Sequence, residues 1–214
     1  VWSVAGLWSY PDVLPDSLSA RSWSRYWSNI FDAGITTLLI ALCATFIAVL
    51  LTLGCLEAEY RFNFTMSERG VFLLYLPLMV PQTAFLPGLQ TLMLSTGLKS
   101  GFFPVVLAHL VFVLPYVFLS LSDPFRAWDV RFGTIAAALG SSANGVLWRV
   151  RLPMLLAPVL TAVAVGFAAS VGQYLPTLLV GGGRLSTLTT EAVALAAGGD
   201  RRAIGVYGLA QTVA

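Results

Sequence analysis

The sequence predicts an all-α, polytopic transmembrane helical bundle, and three observations carry that expectation. Hydrophobic residues make up 57% of the chain and charged residues 10%, against about 45–50% and 25% in an average soluble domain. Apolar runs over residues 30–56, 71–94, 102–121 and 152–180 each reach the ~20 residues needed to cross a ~30 Å hydrocarbon layer. Between the third and fourth runs, residues 123–151 form a more polar stretch with a helical periodicity of its own. In lipid a backbone must satisfy its own hydrogen bonds, so apolar runs of this length are read as helices.

The lead-in, residues 1–29, holds Trp2, Trp8, Trp23 and Trp27 with Tyr10 and Tyr26. Such rings prefer the headgroup layer. They fit either a docking surface for a substrate-delivery protein or an aromatic belt leading into the first span, and the belt is the simpler reading. In the run 30–56, Cys43 and Cys55 lie twelve residues apart on one helix, about 18 Å at 1.5 Å per residue. That exceeds the ~7 Å limit for a bridge, so both are expected to be free thiols facing lipid or another helix.

The run 71–94 carries Pro77, Pro81 and Pro87, with Gln82 and Thr83 among them. Each proline frees a carbonyl of the preceding turn, and irregular backbone survives in a membrane only inside protein or along an aqueous cavity. Gln82 and Thr83 are therefore candidates for the wall of a translocation path. A kinked packing helix in which Gln82 bonds a freed carbonyl fits equally well. The run 102–121 places His109, the only histidine, in mid-span near Pro115 and Tyr116. An ionisable group at that depth is a functional candidate, and a neutral imidazole bonded across a helix interface is the competing reading.

The run 152–180 contains Ser170, Gly172, Gln173 and Tyr174, followed by Pro176 and a triple glycine at 181–183. Gln173 in such a setting needs a partner, and Gln173 and Tyr174 join the candidate path residues. Residues 184–199, with Ser186, Thr187, Thr189, Thr190 and Glu191, are too polar to span. They read as a re-entrant helix, or as an amphipathic helix capped by Ser or Thr on a leaflet. A fifth run, 203–214, reaches only about 18 Å. With no initiator Met at the opening, the bundle is expected to be incomplete at both ends.

The stretch 134–153, TIAAALGSSANGVLWRVRLP, is the most specific signal. A short turn of helix (Ile135, Ala136, Ala137, Ala138, Leu139) leads to Gly140, which permits positive φ. Ala143, Val146, Leu147 and Val150 then recur at i, i+3, i+4 and i+7, one face of an amphipathic helix, with Asn144, Arg149 and Arg151 expected to point elsewhere. Ser141 or Ser142 caps it, and Pro153 suits the first turn of the next helix. The expected result is a helix-turn-helix elbow on a membrane face.

This arrangement resembles the cytoplasmic EAA loop of inner-membrane permeases of binding-protein-dependent ABC importers. Its pattern is EAA, three residues, Gly, nine residues, an aliphatic residue, any residue, then Leu-Pro. Gly140, Val150, Leu152 and Pro153 keep that spacing, whereas Thr134 and Ile135 replace the first two members of the triplet and only Ala136 remains. The segments YLPLMVPQ, SVGQYLPTLLVGG and WSYPDVLP are likewise similar to parts of thiamine, iron(III) and sulfate-type permeases, although that family usually has Glu-Phe where this chain has Gln173 and Tyr174.

The resemblance implies a MetI-like fold in the bacterial inner (plasma) membrane. It implies a separate ABC ATPase dimer carrying ATP and magnesium, a periplasmic solute-binding protein, and a second permease unit that is the same chain, a homologue or a fused half. On this reading the chain itself binds no cofactor and no metal. The resemblance assigns ATPase coupling to Thr134, Ala136, Ala137, Gly140, Ala143, Val146, Leu147, Val150, Leu152 and Pro153. It divides the chain into a periplasmic lead-in, 1–29, and a transmembrane permease domain, 30–214, with a cytoplasmic coupling loop at 123–151.

Other functions fit less well. A net charge of +2 is too small and scattered for nucleic acid. A phosphate loop would need GxxxxGK[ST], and the only lysine, Lys99, follows Leu98. One His and two distant Cys supply no zinc site. A secondary active transporter of a small polar solute is the stronger rival, since broken helices suit it. Its ion coupling would want an intramembrane carboxylate, and Asp32, Glu57 and Asp123 all lie at the ends of runs. Charge fixes orientation only weakly, because six of the twelve basic residues fall on each side. The resemblance decides it, with residues 57–70 and 123–151 inside and 1–29, 95–101 and 181–202 outside. Single cysteines at Ser142 and Ser19, in a background lacking Cys43 and Cys55, should then react with an impermeant thiol reagent from opposite faces. Labelling of position 142 from outside intact cells overturns the topology.

Overall fold

The computed structural model describes residues 2–6, 8, 13–15, 17–198 and 201–213. Tyr10, with the rest of residues 9–12 in WSYPDVLP, Gly199 and Ala214 lie outside the described residues. In chain order the helices are α1 (Arg21–Phe62), α2 (Glu68–Met79), α3 (Gln82–Ser95), α4 (Phe102–Arg126), α5 (Val130–Ala138), α6 (Ala143–Val146), α7 (Leu152–Met154), α8 (Leu156–Val171), α9 (Leu175–Gly181), α10 (Leu188–Ala197) and α11 (Arg201–Val213). A π-helical turn, Leu147–Arg151, joins α6 to α7.

Among the described residues two helices, α1 and α4, are individually long and apolar enough to cross a membrane; the number rises to four if each of two bent pairs is one span. The run 71–94 is such a pair: α2 ends at Met79, and α3 leaves it at 110°. Pro81 explains the break, since it lacks an amide donor and disfavours helical backbone at Val80, which is extended (φ −94°, ψ 133°). The run 152–180 is not one helix either. Residues 143–154 meet α8 at 76°, and Gly172, Gln173 and Tyr174 interrupt it again before Pro176 enters the first turn of α9.

Contacts divide the chain into two compact units, Val1–Ala41 with Leu86–Ala108 and Val171–Ala214, and Leu42–Phe85 with His109–Ser170. In the first, Ile30 and Ala33 of α1 pack with Leu188, Val206 and Tyr207. Thr187 caps α10 in a reciprocal box with Thr190, which realises the Ser/Thr-capped reading of residues 184–199. The amide of Leu188 donates to Thr37 Oγ1 at 3.0 Å, and Thr37 donates to the Ala33 carbonyl at 2.7 Å. Of the aromatic lead-in, Trp2 stacks on Trp8 at 4.1 Å, Tyr26 meets Tyr207 edge-on, and Trp27 is exposed.

The second unit is built on residues 42–62 of α1, most of α4, and α8. Ala48, Val49, Leu56, Val113, Val117, Phe118, Leu121 and Ala162 form its core. Gly166 lets these helices approach closely, because a Cβ there would lie 2.6 Å from Val117 Cγ2 and 3.2 Å from Thr45 Cγ2. Small residues serve this purpose where lipid gives helices no hydrophobic reason to associate. Cys43 and Cys55 are free thiols.

Candidate functional site

The elbow is assembled from local signals. Asp129 caps α5, accepting from the Arg131 amide at 2.9 Å. Gly133 allows α5 to lie against α1, since a Cβ there would stand 2.7 Å from Tyr60 Oη and 3.3 Å from Trp128. The helix ends at Gly140, whose φ of 84° is left-handed. The Gly140 amide donates to the Ala137 carbonyl and the Ser141 amide to the Ala136 carbonyl, both at 2.9 Å, the paired bonds of a Schellman stop. Ser142, rather than Ser141, then caps α6, accepting from the Gly145 amide at 3.2 Å.

The amphipathic face is realised in part. Val146 is buried and joins the core of the second unit, with Ala136, Leu147 and Val150 packed against it. Leu152 is half-buried, while Thr134, Ala137, Gly140, Ala143 and Pro153 are exposed. Thr134 turns its hydroxyl back onto the Val130 carbonyl at 3.3 Å. At the end of α5 Leu139 is 83% exposed, and in the π turn Trp148 is 67% exposed, apolar groups that a 3.6-residue reading gave no role. Trp148, Leu147 and Leu152 face Leu50, Leu53 and Gly54 of α1 across a groove of about 380 Å³.

One expectation is overturned. Arg151 points inward and is only 1% exposed. The cause is the π turn: the Leu152 amide bonds back to the Leu147 carbonyl, five residues earlier, and winding by i→i+5 brings position 151 beneath position 146. Arg151 Nη1 donates to Glu57 Oε2 at 2.7 Å. Its guanidinium lies 3.4 Å from the ring centre of Tyr60, 4.2 Å from that of Trp128 and 4.9 Å from that of Phe125. Glu57 also accepts from Arg61 Nε at 2.7 Å through its other oxygen, and Arg61 Nη2 donates to Asn144 Oδ1 at 2.8 Å. Beside this chain, Arg126 donates twice to Glu59, each at 3.0 Å, and the Met66 amide adds a third bond at 2.8 Å. None of Glu57, Glu59, Tyr60, Arg126 or Trp128 was a candidate from sequence. The available signal was a cluster of charged and aromatic residues at the ends of two apolar runs.

Four of the five candidate path residues fall at helix breaks, and His109 lies within the continuous helix α4. Gln82 opens α3 immediately after the 110° bend, with exposed Thr83 next to it. Gln173 is buried and Tyr174 half-buried in the interruption between α8 and α9. His109 is buried on α4, and its Nδ1 lies 2.8 Å from Ser170 Oγ at the end of α8. The structure thus joins His109 to Ser170; Gln82, Thr83 and His109 belong to the second unit, and Gln173 and Tyr174 to the first.

The family described as "Binding-protein-dependent transport system inner membrane component" matches residues 51–198, which include the whole elbow. The chain belongs to this family of all-α, multi-pass inner-membrane proteins. It is similar to the inner membrane ABC transporter permease protein YnjC of Escherichia coli, with 39% identity over 180 residues, 84% of this chain and 34% of YnjC. It is also similar to the molybdenum transport system permease protein ModB of Mycobacterium tuberculosis, with 31% identity over 185 residues, 78% of this chain and 70% of ModB. A third relative is the spermidine/putrescine transport system permease protein PotC of Haemophilus influenzae, with 27% identity over 166 residues, 75% of this chain and 65% of PotC. The chain thus spans about a third of the length of YnjC and just under two thirds of that of PotC.

The Glu59–Arg126 pair and the Asp129–Arg131 pair should differ sharply in worth. The Glu59 side chain is 5% exposed, whereas Arg131 is 86% exposed. Glu59→Gln should lower the unfolding free energy of the detergent-solubilised protein by about 1.5–3 kcal/mol, the range for hydrogen bonds to charged groups. Arg131→Gln should change it by less than about 0.5 kcal/mol. Thermal unfolding of the two variants beside the parent checks the contrast.

Proposed function

We propose that this chain forms transmembrane substance of an ABC importer, lining part of a translocation path and coupling to a separate ATPase through the elbow. The observation that carries the reading is the elbow. The spacing from Gly140 to Leu152-Pro153 corresponds to a Schellman-stopped turn that exposes Leu139, followed by a π turn that exposes Trp148. Exposed apolar side chains on a short, stiff, doubly capped element suit a partner's groove. ATP and magnesium would reside on that partner, and a solute-binding protein and a second permease unit would complete the complex.

Work is done on the path only if the partner's nucleotide states bind the elbow differently. Gly140 is the residue to test. A Cβ there meets no atom within 4 Å, so the main expected effect is one of backbone conformation: a β-branched residue at φ 84° is strained. Gly140→Val should weaken co-purification of the ATPase and abolish uptake while the protein still inserts in the membrane. Ion-driven uptake by the purified protein with no ATPase bound, unaffected by Gly140→Val, would instead establish a secondary transporter.

Gln82, Thr83, Gln173 and Tyr174 are proposed for the path because helix breaks expose backbone groups and tolerate polar neighbours only where protein or water satisfies them, and His109 because it is an ionisable group within a span. Leu at Gln82, His109 or Gln173 should alter uptake or substrate-stimulated ATP hydrolysis with assembly intact; normal transport by all three variants assigns them to packing. The relatives' names give different cargoes, molybdenum in one and spermidine and putrescine in another, so the scaffold does not itself fix the cargo.

A further inference from the structure

We propose that Arg151 is the positioning residue that locks the elbow to the cytoplasmic ends of α1 and α4, so that a displacement of the elbow is delivered to those two helices through the Arg151–Glu57 knot. This deepens the coupling reading above and rests on it.

The simplest transmission route would be helical backbone, the elbow running on as one rod into the following membrane helix. The geometry removes that rod. The Leu155 backbone leaves the helical region (φ −98°, ψ 15°), and α8 departs at 76° from residues 143–154. Side-chain ties run elsewhere. The elbow is fastened to α1 at two points: Asn144 through Arg61, and Arg151 through Glu57, which accepts from both arginines with its two oxygens. On the α4 side Phe125, in the helix, and Trp128, just beyond it, lie against the same guanidinium. Tyr60 and Trp128 meet edge-on at 6.0 Å, closing the cage.

Such a knot is stiff for definable reasons. A planar guanidinium can accept ring stacking and bond a carboxylate at once, whereas an ammonium offers neither the plane nor the fork. Arg151 Nε and Nη2 are buried without a hydrogen bond among the described residues. Any rotation of the side chain therefore sacrifices its single ion pair with nothing to replace it. Displacing the elbow relative to α1 would separate a buried charge from its partner, so the elbow and the two helix ends should move as one body.

The test uses the membrane complex with its ATPase, reconstituted in nanodiscs, in a background lacking Cys43 and Cys55. Spin labels replace exposed Arg149 and Thr65 as one pair, and Arg149 and Ala164 of α8 as a second. In the parent, the 149–65 distance should give one narrow distribution, unchanged between the nucleotide-free state and the state trapped with Mg-ATP and vanadate. Arg151→Met should broaden it and lower uptake per ATP hydrolysed by about an order of magnitude, and Arg151→Lys should restore neither. Glu57→Gln, which keeps the shape of the acceptor, should broaden it less and serves as the second variant should Arg151→Met fail to assemble. A 149–65 distance that itself shifts with nucleotide overturns the knot and leaves the coupling reading standing. Unchanged distributions and unchanged uptake per ATP in the variants do the same. If no ATPase binds the parent and neither pair responds to nucleotide, the coupling reading falls and the knot's role falls with it.

Discussion

A buried cation organises the elbow end of the second unit. An unpaired charge in a low-dielectric interior costs several kcal/mol, so the placement of Arg151 constrains its neighbours. Glu57 neutralises it, and three rings offer it their negative faces, each such contact worth up to about 2 kcal/mol when desolvated. Those rings sit where they do because α1 presents Glu57 and Tyr60 one turn apart, on the same face. Removing one partner of a buried pair costs about 3–5 kcal/mol, a large fraction of the stability of an ordinary domain. Gly133 follows from the same constraint, since α5 can pass over Tyr60 and Trp128 only without a side chain at that point.

The arrangement also accounts for the π turn. An uninterrupted α-helix from Ala143 would direct position 151 well away from Val146, as the 3.6-residue pattern indicates. Inserting one residue into the turn keeps Val146 and Leu147 in the core and adds Arg151 beneath them. Wide turns of this kind cluster at functional elements. The extra residue leaves Trp148 on the outside, so one local distortion sets both the inner anchor and an outward apolar side chain.

Legibility from sequence followed the range of the interactions involved. The all-α class came from composition and run length, which are bulk properties. Gly140, a cap at Ser141 or Ser142, and a Ser or Thr cap within residues 184–199 came from chemistry acting within four residues, and the structure places the caps at Ser142 and Thr187. The bend at Pro81 was legible as irregularity, but its angle was not, because angle depends on what the two arms pack against. Arg151 was misread for a different reason: periodicity assumes one winding throughout, and a π turn changes the winding without a signature residue. Glu57 was discounted as a charge at the end of a span because its partner is 94 positions away, beyond any local pattern. His109 shows the intermediate case, in which burial was expected but Ser170, 61 residues on, could not be singled out among the serines.

The departure from the EAA triplet gains a physical sense in this setting. An acidic residue at position 134 would lie on the exposed face of α5, where Thr134 instead returns its hydroxyl to the Val130 carbonyl. Apolar side chains are exposed near it, Ile135 on α5 and Leu139 at its C-terminal cap, beside the exposed Arg131 one turn earlier. Surface ion pairs contribute about 0–1 kcal/mol and weaken with salt, while burial of a Leu or Trp side chain is worth more and is not screened by salt. An elbow without the acidic residue can thus still hold a partner, provided its tip enters a pocket. Attachment of this chain to an ATPase should accordingly depend on Leu139 and Trp148 more than on ionic strength, and Leu139→Asp, at a position 83% exposed, tests that without disturbing any packed neighbour.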